Sequence, residues 1–288
     1  MCATCGCGKL DEPAGVRISA PAGTVPHEHE HEHEHEHDHP HEHGHGHGHS
    51  HGHDHDHVHP HDHEHAPTET GTTETVTLEQ KILAKNDLLA EDNRAWLTAR
   101  GIAAFNLMSS PGSGKTTLLE RTVRELQASG PVSVIEGDQE TLLDADRIEA
   151  TGCAVVQVNT GSGCHLDAEM MHGALDALGP ADDSLVFVEN VGNLVCPALF
   201  DLGEQGKVVL ISVTEGDDKP LKYPHIFAVA DLVIVNKIDL LPYVDFDPDV
   251  CERNARSVNP DVRVINLSAT SGEGLERWYE WISERRKE

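Results

Sequence analysis

Seven short apolar runs, most of them separated by stretches of helical length, constrain the fold more than any other feature of the chain. The runs lie at residues 102–108, 132–136, 154–158, 184–188, 207–213, 231–235 and 262–267. The helical stretches between and after them lie at residues 115–129, 141–151, 166–178, 248–258 and 273–286. Continuous apolar runs of this kind are typical of strands that are buried on both faces. We therefore predict an α/β fold with a doubly wound, mostly parallel, seven-stranded sheet, helices on both faces and ligand sites at the carboxyl ends of the strands.

The segment before these runs has a different composition. Residues 27–65 contain 20 of the 23 histidines and almost nothing that could enter an apolar core, and such segments stay solvated. We predict a Cys-rich metal-binding motif at 1–8, a disordered linker with the His-rich tract at 9–75, and one domain at 76–288. That domain has about 210 residues, enough for an ordinary core, and apolar residues at helical spacing predict that it opens with amphipathic helix over 76–100.

The charge balance argues against two classes of partner, nucleic acids and anionic membranes. With 50 Asp and Glu against 21 Lys and Arg, the formal net charge is -29, whereas nucleic acids and anionic membranes need clustered cations. We also expect no spanning helix and no secretory signal, because the sequence has no apolar run of about 18 residues and no short apolar stretch behind a basic start. A cytoplasmic location is therefore predicted, where cysteines act as ligands or buried thiols more often than as disulfides.

A phosphate-binding loop follows the first apolar run directly. Residues 109–117 read SSPGSGKTT and lead into an apolar helix. In such loops backbone amides hold the β-phosphate, Lys115 reaches the β- and γ-phosphates and the Thr116 hydroxyl ligates Mg²⁺. Ser109 stands where the usual pattern has its first glycine, and a chance glycine-rich turn is the alternative. The predicted nucleotide-binding residues here are Gly112, Ser113, Gly114, Lys115, Thr116 and Thr117.

Two further loops predict that the nucleotide is GTP. Asn236, Lys237 and Asp239 follow the run at 231–235. The Asp239 carboxylate can accept from the N1–H and the exocyclic amine of guanine, a pair of donors that adenine lacks. The loop that begins Ser268-Ala269 would supply a backbone N–H to guanine O6, and the Lys237 stem would cover the base. The alternative is three unrelated loops.

Two carboxylates end other strands. Asp138 and Glu189 can each meet Mg²⁺ or water, since catalysis of phosphoryl transfer depends mostly on positioning and charge neutralisation. We predict that Asp138 contacts magnesium or the attacking water. Glu189 is predicted to act from the outer coordination shell of the magnesium, and Gly192 to contact the γ-phosphate. With Lys115 these residues form the predicted catalytic set. Solvated loop carboxylates are the alternative.

Cysteine and histidine clusters predict two specific metal sites and a store. Cys2, Cys5 and Cys7 supply three soft donors, and the terminal amine could be the fourth; the set suits Ni²⁺, Zn²⁺ or Cu⁺. Square-planar coordination would favour nickel, but the donors do not exclude zinc. The alternating tract predicts many weak, exchangeable sites on imidazoles that are largely neutral at cytoplasmic pH.

The second specific site is predicted inside the domain. Cys164, His165 and Cys196 follow strand ends and can become neighbours. Three ligands are one short of a closed tetrahedral site, so either water completes the set or two chains share it. We interpret Cys153 and Cys251 as buried packing thiols.

The combination of motifs resembles one family, the HypB-type nickel-incorporation GTPases of NiFe-hydrogenase maturation, of the SIMIBI class of P-loop GTPases. The resemblance covers the Cys-x₂-Cys-Gly-Cys start and residues 76–288, with the tract matching a variable insertion and Ser109 shared by the family. The matching segments are 106–117, 136–139, 163–167, 189–197 and 218–224.

The resemblance implies a slow, Mg²⁺-dependent GTPase that forms a GTP-dependent homodimer. It implies delivery of Ni²⁺ to the hydrogenase large subunit, together with a zinc-containing HypA-type partner. Cys2, Cys5 and Cys7 would be the high-affinity nickel site, the inner set a nucleotide-coupled Ni²⁺ or Zn²⁺ site, and Lys219 and Lys222 contacts across the dimer. Open alternatives are a nickel or zinc storage and detoxification protein on a GTPase scaffold, a urease-type nickel-delivery GTPase, and a metal-independent regulatory GTPase.

Overall fold

A computed structural model of the chain describes residues 15–19, 70–138 and 143–287, with side chains at 80–138 and 144–287. The predicted Cys motif at 1–8 and the tract at 27–65 lie outside the described residues. The strands are β1 (Gly15–Ser19), β2 (Ala103–Ser109), β3 (Val132–Asp138), β4 (Ala154–Asn159), β5 (Leu185–Gly192), β6 (Gly206–Ser212), β7 (Leu232–Asn236) and β8 (Arg263–Asn266). The α-helices are α1 (Thr70–Ala99), α2 (Lys115–Leu126), α3 (Leu143–Glu149), α4 (Ala168–Leu178), α5 (Lys219–Lys222), α6 (Pro224–Ala228), α7 (Pro248–Val258) and α8 (Leu275–Arg285).

The described strands form one sheet in the order β1-β4-β3-β5-β2-β6-β7-β8. The seven strands from β2 to β8 are parallel, which confirms the predicted doubly wound sheet. Every residue of β2 is buried, because this central strand is covered by helices on both faces. None of the helices in the described part of the chain has the length and apolar character that a membrane span requires.

The described residues include one short strand, β1, within the segment 9–75 for which disorder is predicted; the disorder of the remainder stays a prediction. Residues 15–19 pair antiparallel with β4, with Gly15 opposite Asn159. The outer edge of β4 would otherwise carry unpaired backbone groups, and the β-branched Val16 and Ile18 favour an extended backbone. Helix α1 likewise begins at Thr70, six residues before the predicted start of the domain.

The packing of α1 determines where the polar edge of the domain lies. Leu97 of α1 is buried against the sheet in a cluster that includes Val188 of β5 and Leu166. Two asparagines of α1 are also buried. The Asn86 amide accepts from the Ala168 N–H at 2.9 Å, and the Asn93 amide donates to the Ala168 carbonyl at 2.9 Å. The start of α4 is therefore fixed to α1 by both of its backbone groups.

Candidate functional site

The phosphate-binding loop connects β2 to α2 at the carboxyl edge of the sheet. Gly112 has φ +75° and Gly114 has φ +98°, a region that strongly favours glycine. A Cβ on Gly114 would also lie 2.6 Å from Asn236 Nδ2. The Lys115 ammonium donates to Ser109 Oγ at 2.8 Å, so the serine that departs from the usual glycine holds the lysine across the loop.

A cavity of about 530 Å³ opens above this loop. It brings together the four predicted catalytic residues, although their roles stay predictions. Gly192 lies close to the loop, because a Cβ there would come within 3.1 Å of Pro111. The lining residues are Pro111, Gly112, Ser113, Gly114, Lys115, Thr116, Thr117, Asp138, Asp144, Arg147, Glu189, Val191, Gly192 and Lys237.

Thr116 and Glu189 both line the cavity and are hydrogen-bonded to each other. The Thr116 hydroxyl donates to Glu189 Oε1 at 2.8 Å, whereas Glu189 Oε2 is buried and has no partner among the described residues. Burial raises the pKa of Glu189 to about 7, against the opposing effects of the Lys115 charge and the Thr116 hydrogen bond. Half-buried Asp138 ends β3 at the same cavity. Hydroxyl and carboxylate oxygens are the ligands that Mg²⁺ prefers, so these residues fit that ion.

Glu136 is a buried carboxyl that the sequence analysis missed. It lies opposite Glu189 in the pairing of β3 with β5, and its Oε2 has no partner among the described residues. Burial, followed by the charges of Glu189 and Asp138, raises the pKa of Glu136 to about 9. The available signal was a carboxylate at the end of an otherwise apolar run.

Arg147 of α3 was also missed. Its guanidinium donates to Thr117 Oγ1 at 3.2 Å and to Glu120 at 2.8 Å. It therefore places a positive charge in the wall of the phosphate cavity, where charge neutralisation assists phosphoryl transfer. No motif distinguishes this arginine from others on helix surfaces.

The loops predicted to hold the base meet the phosphate-binding loop. Asn236 Nδ2 donates to the Ser113 carbonyl at 2.9 Å, and Lys237 donates to the Gly112 carbonyl at 2.7 Å. The Ser268 hydroxyl donates to Asp239 Oδ1 at 2.5 Å. The structure thus joins the predicted segments, with Asp239 exposed at their edge.

One detail of this region differs from the expected arrangement. The Ala269 N–H, predicted to serve guanine O6, donates to Asn236 Oδ1 at 3.0 Å. To bind guanine O6, the Ala269 N–H would have to be shared between O6 and Asn236 Oδ1. Otherwise the N–H that binds O6 would have to come from a neighbouring residue. The assignment of Ala269 therefore remains a prediction.

The inner cysteine and histidine residues come together as predicted. The ligand atoms of Cys164, His165 and Cys196 all lie within 4.8 Å of one another, the one such group found among the described residues. Cys164 and His165 lie in the loop after β4, and Cys196 opens a short 3-10 helix after β5, so the loops meet above the end of β3.

The environment of His165 suits a metal ligand. Its ring stacks on Phe200 with centroids 3.9 Å apart, and Cys164 Sγ lies 3.8 Å from His165 Nδ1. Burial lowers the pKa of His165, against the charge of Asp167. The imidazole is therefore neutral and able to donate a lone pair at neutral pH. Two soft thiol donors beside it suit Ni²⁺ or Zn²⁺.

The remaining predicted residues are placed as follows. Cys153 and Cys251 are buried in apolar clusters, which confirms them as packing residues, and burial raises the pKa of Cys251 to about 12. Lys219 lies 3.3 Å from Glu215, and Lys222 lies 2.7 Å from Asp218. Their contacts across a dimer stay predictions.

Comparisons with known proteins agree with this description. The family model described as "CobW/HypB/UreG, nucleotide-binding domain" matches residues 103–266. The hydrogenase maturation factor HypB of Escherichia coli (strain K12) is 57% identical over 209 residues, covering 73% of this chain and 72% of that protein. Two solved structures cover 70% of this chain with TM-scores of 0.66. They are HypB from Archaeoglobus fulgidus, 39% identical and 99% covered, and HypB from Helicobacter pylori in complex with nickel, 38% identical and 95% covered.

Proposed function

The chain belongs to the HypB family of hydrogenase maturation factors, and from this premise we propose that it is a GTP-hydrolysing nickel chaperone. It stores nickel and delivers it to the large subunit of a NiFe hydrogenase. The observation that carries the proposal is the convergence of Cys164, His165 and Cys196 on loops beside the phosphate cavity. A chain that only hydrolysed GTP would not need two thiols and an imidazole gathered there.

The nucleotide site acts through positioning and charge. Lys115 and the amides at the start of α2 bind the phosphates, while Thr116 and Asp138 would hold Mg²⁺, which neutralises phosphate charge during transfer. Glu189 orients the Thr116 hydroxyl through their 2.8 Å hydrogen bond. Asp239 selects guanine by accepting two hydrogen bonds from the base. We propose slow hydrolysis, with the chemistry serving a conformational switch.

The switch connects the nucleotide to the metal. Gly192 packs against Pro111 of the phosphate loop, and Cys196 lies four residues further along the same segment. Loss of the γ-phosphate would shift this turn and with it a metal ligand. Metal affinity then depends on the nucleotide, and nucleotide affinity must depend on the metal by the same factor.

The partners follow from the incomplete ligand set. We propose that two chains share the Cys164, His165 and Cys196 site in a GTP-dependent homodimer, with Lys219 and Lys222 contacting the second copy. A HypA-type zinc protein would then exchange nickel with the dimer. Cys2, Cys5 and Cys7 would form a separate high-affinity site.

Nickel titration of the full chain tests the proposal. Cys2, Cys5 and Cys7 are replaced by serine, so that the thiols of the inner site, Cys164 and Cys196, can be observed without them. Ni²⁺ is added in the presence of a non-hydrolysable GTP analogue or GDP, while thiolate-to-nickel absorption and oligomeric state are recorded. The control replaces Cys196 by serine as well.

The expected result is an absorption band that is lost in the control and a nickel affinity that differs between the two nucleotides. Identical nickel affinities with the two nucleotides would show that GTP hydrolysis and metal binding are not coupled. That result would favour a storage protein. Delivery itself is tested by the nickel content of the hydrogenase large subunit in cells that carry the Cys196→Ser variant.

A further inference from the structure

Two asparagines, Asn190 near the end of β5 and Asn193 just after that strand, hydrogen-bond to the backbone of the metal-ligand loop. Asn190 Oδ1 accepts from the Leu166 N–H at 3.1 Å. Asn193 Nδ2 donates to the Cys164 carbonyl at 3.2 Å. Cys164 and Leu166 flank His165 in the chain. The side-chain amides of Asn190 and Asn193 therefore bind the backbone of the ligand loop on both sides of the histidine.

Asn190 is fixed in the core. Its Oδ1 also accepts from the Val191 N–H at 3.0 Å, and its Nδ2 donates to Asn106 Oδ1 at 3.2 Å. Asn106 lies in β2, three residues before the phosphate-binding loop, and donates to Glu204 Oε1 at 3.0 Å. Asn106, Asn190 and Glu204 are all buried, so this chain of hydrogen bonds fixes the Asn190 side chain near the end of β5.

Asn193 has a different position. It directly follows Gly192, the residue that packs against Pro111 of the phosphate loop. Its Oδ1 accepts from the Val195 N–H at 2.8 Å, one residue before Cys196. A single half-buried side chain therefore joins the Cys164 backbone to the segment that carries Cys196.

We propose that Asn193 is the positioning residue that makes the metal site follow the nucleotide. The inference rests on the switch proposed above and adds the contact that transmits it. When the turn at Gly192 shifts, Asn193 moves with it and changes the spacing of the two thiol-bearing segments. Asn190 meanwhile keeps the far side of His165 fixed to the sheet. Asn193 acts through these backbone contacts, without ligating the metal.

The test uses the full chain in which Cys2, Cys5 and Cys7 are serine, and compares three further substitutions. Asn193→Ala removes both contacts, while Asn193→Asp keeps an acceptor for the Val195 N–H and removes the donor to Cys164. Asn159→Ala is the matched control. Asn159 Oδ1 accepts from the Gly161 N–H at 2.8 Å in the same loop as Cys164. Unlike Asn193, Asn159 lies at the end of β4 and does not belong to the segment that carries Cys196.

The measured quantity is the ratio of nickel affinities with the GTP analogue and with GDP, read from the thiolate-to-nickel band. Coupled sites show ratios of about 5 to 150, and we expect a ratio in this range for the parent and for Asn159→Ala. Both Asn193 variants should give a ratio of about one, with the absorption band and both nucleotide affinities retained.

The outcomes separate the two proposals. A parent ratio above one that persists in both Asn193 variants would overturn the role of Asn193 while leaving the switch intact. A loss of the ratio in Asn159→Ala as well would also overturn it, because any disturbance of the loop would then suffice. A parent ratio of one would refute the switch itself, and the inference with it.

Discussion

Replacing Asp239 by asparagine tests whether the predicted base pocket recognises guanine. The carboxylate lies at the edge of the joined loops and accepts from Ser268 at 2.5 Å. An asparagine oxygen can still accept that hydroxyl, so the loop should keep its structure. Toward the base, however, one acceptor becomes an N–H₂ group that faces another donor of guanine.

The magnitude follows from the kind of hydrogen bond that is lost. Hydrogen bonds to charged groups contribute about 1.5–3 kcal/mol, and about 1.4 kcal/mol corresponds to a factor of ten. The dissociation constant for GTP should therefore rise about 10- to 150-fold. Xanthosine triphosphate carries a carbonyl where guanine has its exocyclic amine, so the variant should bind it more tightly than the parent does.

Both affinities can be measured by calorimetry or by competition with a fluorescent nucleotide. Asp261→Asn, an exposed position between α7 and β8, is the control and should leave GTP binding unchanged. Unchanged GTP affinity in Asp239→Asn would refute guanine recognition by this carboxylate. A parallel loss for GTP and xanthosine triphosphate would instead indicate a damaged loop.

Three further predictions concern the cation, the buried acid and the thiols. Thr116→Ala should lower GTP hydrolysis at least about tenfold and weaken its dependence on Mg²⁺, measured as phosphate release across a magnesium series; an unaltered dependence would contradict the assignment. Glu136 has a folded pKa of about 9 against 4.5, so the stability of the parent should fall as pH rises from about 4.5 toward 9. Glu136→Gln should then stabilise the protein by about 3 kcal/mol at pH 7 and by little near pH 5, measured by urea unfolding. A gain in stability that does not depend on pH would refute ionisation of Glu136 as its cause. Half-buried Cys164 should be alkylated before buried Cys251, whose pKa of about 12 keeps it a thiol, and mass spectrometry of the metal-free chain decides the order.

Much of the fold and the cavity could be predicted because the signals are local. An apolar run predicts a buried strand from its own residues, and the loop from Ser109 to Thr117 carries its phosphate chemistry within nine positions. Cys164, His165 and Cys196 were predicted as neighbours because the loops after parallel strands meet at one edge of the sheet.

The contacts that support the site depend on long-range packing and leave no such pattern. Asn93 and Asn190 are ordinary polar residues in the sequence, yet both are buried and bound to backbone around the metal loop. Their roles depend on α1 and β5 being brought to the same loop. Strand β1 was missed for a similar reason, since five residues among prolines acquire a partner only when the edge of β4 exists.

That edge strand also limits how far the first cysteines of the chain can lie from the sheet. Since Gly15 pairs with Asn159, the chain before β1 departs from the end of β4 that leads into the loop of Cys164 and His165. Cys7 precedes Gly15 by eight residues, which span at most about 28 Å when fully extended. The Cys7 Cα therefore cannot lie farther than this distance from the Gly15 Cα, which is paired at the sheet edge next to the loop of Cys164 and His165.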